Sequence, residues 1–340
     1  MTPTPTFPDA RGYLDTGTLG LPPVAAADEL QQAVDAYRHG RANARAYDDW
    51  VERGRRAFAR LAGVPAAHVA VSSQASVSAG LVAASLPAGA EVVCAANDFT
   101  SVLFPFLVQR ERGVTVRVVA LEEVAQAVSD ATTLVAVSAV QSADGRIADL
   151  DTLERAAAAH GAATFIDATQ ALGWLPLDAS RFDFVACAAY KWLLCPRGVA
   201  FFIVRPERLD GIVPHAAGWF AGEDRWESIY GEPLRLAADA RRLDLSPAWL
   251  SWVGAAPALE LLAGLTTDER AHGVRLASAA RKALHLPPSD SAIVMATAAG
   301  AKERLERAGV KAAVRDGAVR VCFHLYNDED DVDRVVSALS

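Results

Sequence analysis

From residue 65 to residue 204 the chain alternates short, nearly unbroken apolar runs with longer amphipathic ones, and this alternation limits the fold more than any other feature. The runs "HVAVS" (68–72), "EVVCAA" (91–96), "VTVRVVA" (114–120), "TLVAVSAV" (133–140), "ATFIDA" (163–168), "FVACAA" (184–189) and "VAFFIV" (199–204) read as strands. Between them 75–86, 100–111, 121–129 and 148–160 read as helices, the last capped by Asp149 or Asp151. Strands this apolar need cover on both faces, which helical crossovers provide. The expected fold is therefore α/β, with a mostly parallel seven-stranded sheet. Ligands of such sheets lie beyond the carboxyl ends of the strands.

The remainder reads as a smaller unit. Residues 254–282 read as one long helix. "SAIVMAT" (291–297) and "AVRVCFHL" (318–325) read as strands, and 300–308 and 328–339 as helices. The expected organisation is an N-terminal arm over 1–25 packing toward the small unit, a large α/β domain over 26–253, and a linking helix with a small α+β domain over 254–340.

Composition narrows the partners. The 340 residues carry a formal net charge of −8, and no basic run or basic–aromatic patch occurs, which argues against a nucleic-acid partner. The apolar stretch 77–96 is broken by Pro87, Gly89 and Glu91, so no membrane span is expected. No charged segment leads into an apolar one at the start, and the expected location is the cytoplasm. The four cysteines, Cys94, Cys187, Cys195 and Cys322, have neither CxxC nor Cys/His ligand spacing; reduced thiols and no structural metal are expected.

Lys191 is the only lysine in the first 281 residues, and it stands inside the apolar stretch "FVACAAYKWLLCPRG". Such a lysine can snorkel from a strand end. It can also lose its proton and condense with a carbonyl, which arginine cannot do. Its neighbours favour chemistry. Asp167 ends the strand "ATFID", where it would cap a helix or reach into the crevice. Gln170 follows at what reads as a helix start. An anion, an amide and an amine at successive sheet edges suit pyridoxal 5'-phosphate: Asp167 on the ring nitrogen, Gln170 on the 3-oxygen and Lys191 as the Schiff-base amine. Ser72, Ser73 and Ser76 stand between a strand end and a helix start, either as plain N-caps or around a phosphate. Phe99 could stack on a flat ring or pack in the core. Tyr190 offers a further hydroxyl.

The chain resembles the class V aminotransferase family of fold-type I pyridoxal-phosphate enzymes, which includes cysteine desulfurases, kynureninases and an isopenicillin epimerase branch. "YLDTGTLGLPP" (13–23), "FIDATQALGWLPLD" (165–178), "AAYKWLLCPRGVAFF" (188–202), "RRLDLSP" (241–247) and "VRVCFHLYNDEDDVD" (319–333) carry the resemblance, in the family's order. It implies a homodimer with a shared active site, acting on a small amino-acid substrate. It implies Lys191 and Asp167 as catalytic residues. It implies Ala75 and Ser76 at the phosphate turn, Phe99 against the ring, and Ser142, Gln170 and Tyr190 around the cofactor. Ser246 would reach the partner's phosphate. Arg320 would grip the substrate carboxylate, with Thr16 and Gly17 bordering the substrate.

The departures from the family pattern matter too. Ala188 replaces a phosphate-binding Ser or Thr, and Phe99 and Tyr190 resemble the kynureninase branch. No cysteine lies in 298–319, where desulfurases carry their nucleophile, and Cys322 falls inside a predicted strand. The implied reaction is chemistry at Cα and Cβ of an amino acid. A β-eliminating lyase, for example one cleaving a C–S bond, is favoured over transamination or epimerisation. A non-catalytic scaffold is the distant alternative.

Overall fold

The computed structural model describes residues 6–8 and 10–340, so part of the N-terminal arm (residues 1–5 and 9) lies outside the described residues. Two helices come first, α1 (Val24–Arg38) and α2 (Tyr47–Ala62). The large sheet and its helices follow: β1 (Val69–Ser72), α3 (Ala75–Ser85), β2 (Glu91–Ala95), α4 (Thr100–Leu107), β3 (Thr115–Val119), β4 (Thr132–Ser138), α5 (Leu150–His160), β5 (Ala163–Asp167), β6 (Phe184–Ala188), β7 (Ala200–Val204) and α6 (Pro206–Leu209). The chain then runs through α7 (Trp249–Ala263), α8 (Thr267–Arg270), α9 (His272–Ala283), β8 (Ile293–Ala296), α10 (Ala301–Arg307), β9 (Ala313–Arg315), β10 (Ala318–Cys322) and α11 (Glu329–Leu339).

The seven-stranded sheet has the order β1-β7-β6-β5-β4-β2-β3. Only β7 runs against its neighbours. The carboxyl ends of the other six therefore share one edge. Every residue of β1, β6 and β7 is buried, as expected for strands covered on both faces. A second, three-stranded sheet has the order β8-β10-β9 and its own apolar core with α9, α10 and α11. Along β10, Val319 and Val321 enter that core, while Arg320 and Cys322 face the other way, as strand alternation requires. Residues 13–15 bridge in parallel to this second sheet, Tyr13 to Lys311 and Asp15 to Cys322.

Several sequence expectations give way to specific local causes. The long helix expected over 254–282 breaks after α7, where Thr266 and Glu269 form a capping box that starts α8. The helix expected over 121–129 is one 3₁₀ turn, Leu121–Glu123, followed by irregular backbone. Gln170 stands in a turn over 169–174 and not at a helix start. α5 is capped by Asp149, which accepts from Thr152 N–H at 3.0 Å, and Asp151 sits in its first turn. The expected helix over 100–111 is α4 alone, running on into a 3₁₀ segment, Val108–Arg112.

Candidate active site

The shared strand edge carries the polar groups. Asp167 ends β5, Ser138 ends β4, and Asp98 and Phe99 follow β2. Lys191 follows β6 by three residues, in a tight turn whose Leu194 N–H donates to the Lys191 carbonyl at 3.1 Å. Leu194 adopts φ 58°, a left-handed conformation rare for a side chain branched like leucine. Gly20 presses on this turn from the N-terminal segment. Its N–H donates to the Tyr190 carbonyl at 2.9 Å, and a Cβ there would stand 2.1 Å from the Lys191 carbonyl oxygen. Only glycine permits that approach.

These edges enclose a cavity of about 170 Å³ lined by Lys191, Asp167, Gln170, Ala75, Phe99, Ser142 and Tyr190, all foreseen from the sequence. Lys191 is 5% exposed. Burial pulls its amine down to about 8, with Arg320 pulling the same way and Asp167 opposing. Burial pushes the Asp167 carboxyl up, against the Thr169 hydrogen bonds and the lysine. Phe99 is 44% exposed, with its ring centroid 5.0 Å from Lys191 Nζ. That exposure excludes the ordinary core role and leaves a ring face available for stacking.

Helix α3 begins at Ala75 with no side-chain cap, so none of the serines caps it; Val77 N–H turns back to the Gln74 carbonyl at 3.2 Å, and the N–H groups of Ala75 and Ser76 remain open to an anion. Ser76 is half-buried on α3 and does not line the cavity, whereas Gln74 and Ala75 do. Ser142 accepts from Gln170 Nε2 at 3.0 Å and from an Arg320 terminal nitrogen at 3.2 Å. Arg320 is fully buried behind Ser142 and Gly17 rather than at the cavity wall. It donates to the Ser142 carbonyl at 2.6 Å and to Thr18 Oγ1 at 2.9 Å, and its Nε has no partner. Gly17 leaves room for it: a Cβ there would stand 3.2 Å from the guanidinium carbon. The Thr16 hydroxyl is bonded to Tyr326. Ser246 is exposed and does not line the cavity.

Sequence reasoning missed several partners. Asp98 accepts from Ser138 N–H at 2.7 Å and from Phe99 N–H at 2.6 Å, which fixes the backbone beneath the phenylalanine ring. Thr169 donates its N–H to Asp167 at 2.8 Å and accepts from Ala188 N–H at 2.9 Å. Arg197 lines the cavity with its guanidinium 4.9 Å from the Tyr190 ring centroid. Trp192 donates its indole N–H to Gln170 Oε1 at 2.7 Å. The "ND" after β2 and the "PRG" after the lysine were the visible signals for Asp98 and Arg197; the others have none. All four cysteines are buried, and burial pushes their thiols up, Cys94 to about 12.

The sequence profile of the Aminotransferase class-V family matches residues 26–304. The chain belongs to the class V aminotransferase family. It is 30% identical over 314 residues to an uncharacterized aminotransferase of Bacillus subtilis, covering 85% of this chain and 83% of that protein. It is 27% identical over 337 residues to isopenicillin N epimerase of Streptomyces clavuligerus, covering 84% and 83% respectively. In fold it is similar to the cysteine desulfurase CsdA of Escherichia coli (TM-score 0.83, 21% identity, 98% and 95% of the two chains). It is also similar to the cystine C–S lyase C-DES (TM-score 0.87, 19% identity, 98% of each chain). Class V aminotransferases are pyridoxal-phosphate enzymes of fold-type I, and this chain is one: its cofactor is pyridoxal 5'-phosphate. The residues present fit that group. The cavity brings together a buried amine, a buried carboxylate, an exposed aromatic face and an uncapped helix start. Among the described residues no helix is long and apolar enough to cross a membrane.

Proposed function

We propose that this enzyme removes the Cα proton of an amino acid and expels a substituent from Cβ, as a lyase. The observation that carries the reading is Lys191, a buried amine drawn down to about 8 and set among the groups that would hold a ring. The cofactor, when bound, supplies an aldehyde that joins to amines and a ring that accepts the electron pair left at Cα. Asp167 would keep the ring nitrogen protonated, and Phe99 would cover a ring face. The α3 start and Arg197 would meet the phosphate. Lys191 would hold the cofactor between turnovers. Displaced by the incoming amine, it would take the Cα proton in its neutral form, which a value drawn down to about 8 brings within reach of neutral pH. The β-substituent departs with its bonding pair, and the released enamine hydrolyses to a 2-keto acid and ammonia.

Direct expulsion suits the thiols. Every cysteine is buried with its thiol pushed up, so none is poised to accept sulfur as a persulfide. Arg320 grips the substrate carboxylate once Thr18 and the Ser142 carbonyl release it, a role supported by its unpartnered Nε and its place behind Ser142. Two copies share the sites, with Ser246 of each reaching the other's phosphate. The exposure of Ser246 supports this, as do Tyr230 and Leu234, which are 90% and 80% exposed. Epimerisation is the second reading, favoured by the similarity to isopenicillin N epimerase.

Incubation with a panel of amino acids in D₂O separates the outcomes. A lyase gives keto acid and ammonia in equal amounts. A transaminase gives keto acid only with an amino acceptor, and an epimerase gives deuterium at Cα without keto acid. Borohydride reduction should fix the yellow colour to Lys191, and Lys191→Ala should lose both the adduct and turnover. An adduct on Lys282, Lys302 or Lys311 instead would overturn the assignment.

A further inference from the structure

The amide of Gln170 could present either its oxygen or its nitrogen to the cavity, and only one choice gives the site a donor. Its surroundings decide. Trp192 Nε1–H, 2.7 Å from Gln170 Oε1, can only donate. The Gly17 carbonyl, 3.0 Å from Gln170 Nε2, can only accept. A flipped amide would set donor against donor at Trp192 and acceptor against acceptor at Gly17. Both contacts are buried, where unmet polar groups are costly. The second amide hydrogen then goes to Ser142 Oγ at 3.0 Å, which also accepts from Arg320 at 3.2 Å. With both lone pairs engaged, the Ser142 hydrogen is left to point into the cavity it lines. Gln170 and Ser142 therefore offer this side of the cavity one donor, the Ser142 hydroxyl, and the amide sets its direction.

We propose that Trp192 is a positioning residue: its indole N–H locks Gln170 so that Ser142, accepting from Gln170, turns its own hydroxyl hydrogen to an anionic ring oxygen. The inference rests on the pyridoxal-phosphate reading of the cavity. Trp192 itself does not line the cavity. It is fully buried, tilted against Trp174 at 5.6 Å and stacked on His324 at 5.6 Å, and the Trp174 indole N–H binds the Gln170 backbone carbonyl at 2.8 Å. The side chain and the backbone of Gln170 are thus each held by a tryptophan.

The test is a pH titration of the visible absorbance of the holoenzyme. The linkage from Lys191 to the cofactor carries a proton beside the ring oxygen. Donors on that oxygen draw away electron density, and the proton leaves at lower pH. Trp192→Phe keeps an aromatic ring but removes the N–H, so the midpoint should rise by about one pH unit, with weaker cofactor retention. Gln170→Leu should raise it at least as far. The double variant should match Gln170→Leu alone, because Trp192 acts through Gln170. A purely structural tryptophan would give an unchanged midpoint in Trp192→Phe, or shifts that add in the double variant; either result overturns the proposal. Where Trp192→Phe does not fold, the benzothienyl analogue of tryptophan at 192 keeps the bicyclic shape without the N–H and yields the same two outcomes. A colourless wild-type protein with no Lys191 adduct would instead bring down the cofactor reading, and this inference with it. A normal wild-type adduct with an unmoved variant midpoint would sink only the role of Trp192.

Discussion

A protonated Lys191 is a burden on the folded protein until the cofactor takes it up. Its amine is drawn from 10.5 to about 8 by burial, so the folded apoprotein disfavours the ammonium. Below about 8 the amine is charged in both folded and unfolded chains, and the penalty is fully present. As pH rises from about 8 to 10.5 the folded chain releases its proton first, and stability climbs. The separation corresponds to roughly 3 kcal/mol. Lys191→Met should therefore stabilise the apoprotein at pH 7 by an amount of that order, and the advantage should shrink between pH 8 and 10.5. Urea unfolding of both proteins without cofactor across that range checks it; a gap that ignores pH would contradict it. At this scale the sequence was readable wherever a residue was rare or sat at a strand end. Lys191, Asp167 and Phe99 were singled out that way, and Arg320 only through the family resemblance. Asp98, Thr169 and Trp192 were not, because their roles rest on partners that only the folded chain brings near. Nor could alternation show that Arg320 would be sealed behind Ser142.

Among the elements, the strands between 68 and 204, apart from the edge strand β3 with no buried residue, were legible because burial on both faces leaves apolar runs. α1 and α2 were not. α2 reads "YDDWVERGRRAFARLA", where arginines interrupt the apolar stripe and Gly54 weakens the helical pattern. Both features serve packing. A Cβ on Gly54 would meet Trp252 of α7 at 3.1 Å. Arg55 is buried, and binds Asp244 through two nitrogens at 3.0 and 2.6 Å and also the Val69 carbonyl. Asp244 in turn accepts from Val71 N–H at 2.8 Å, and Leu245 N–H donates to the Val71 carbonyl. Helix α2, strand β1 and the segment leading to Ser246 thus meet at one ion pair. Removing one partner strands the other charge, so Arg55→Met should cost on the order of 3–5 kcal/mol. Arg55→Met with Asp244→Leu should recover part of that loss. Denaturant midpoints of the single and double variants decide the matter, and a double variant weaker than the sum of the singles would refute the pairing.

For the whole molecule, the reading of two shared sites makes a complementation prediction. Ser246→Ala should loosen cofactor in the homodimer. Unfolding and refolding it with an equal amount of Lys191→Ala protein forms mixed dimers, in which one site combines an intact Lys191 with an intact Ser246 from the other copy. Those sites should regain wild-type cofactor affinity, measured by equilibrium dialysis. If Ser246 serves its own chain, mixing restores nothing. The division into two sheets was legible from the change of pattern after residue 250. The path of the N-terminal segment was readable only as a direction, because its partners lie near the far end of the sequence and leave no local trace.

That path bears on synthesis. Tyr13 pairs beside Lys311 and Asp15 beside Cys322, and Gly20 closes over the turn that holds Lys191. On the ribosome the first of these residues emerges roughly 300 residues ahead of its partner, a wait of about 15–60 s at ordinary elongation rates. The large sheet can form in that interval, with the lysine already at its edge. The lid over the lysine turn cannot settle until β9 and β10 have left the tunnel. A nascent chain halted before residue 311 would hold the amine and carboxylate in place with the roof still open, so β9 and β10 finish a segment made about 300 residues before them.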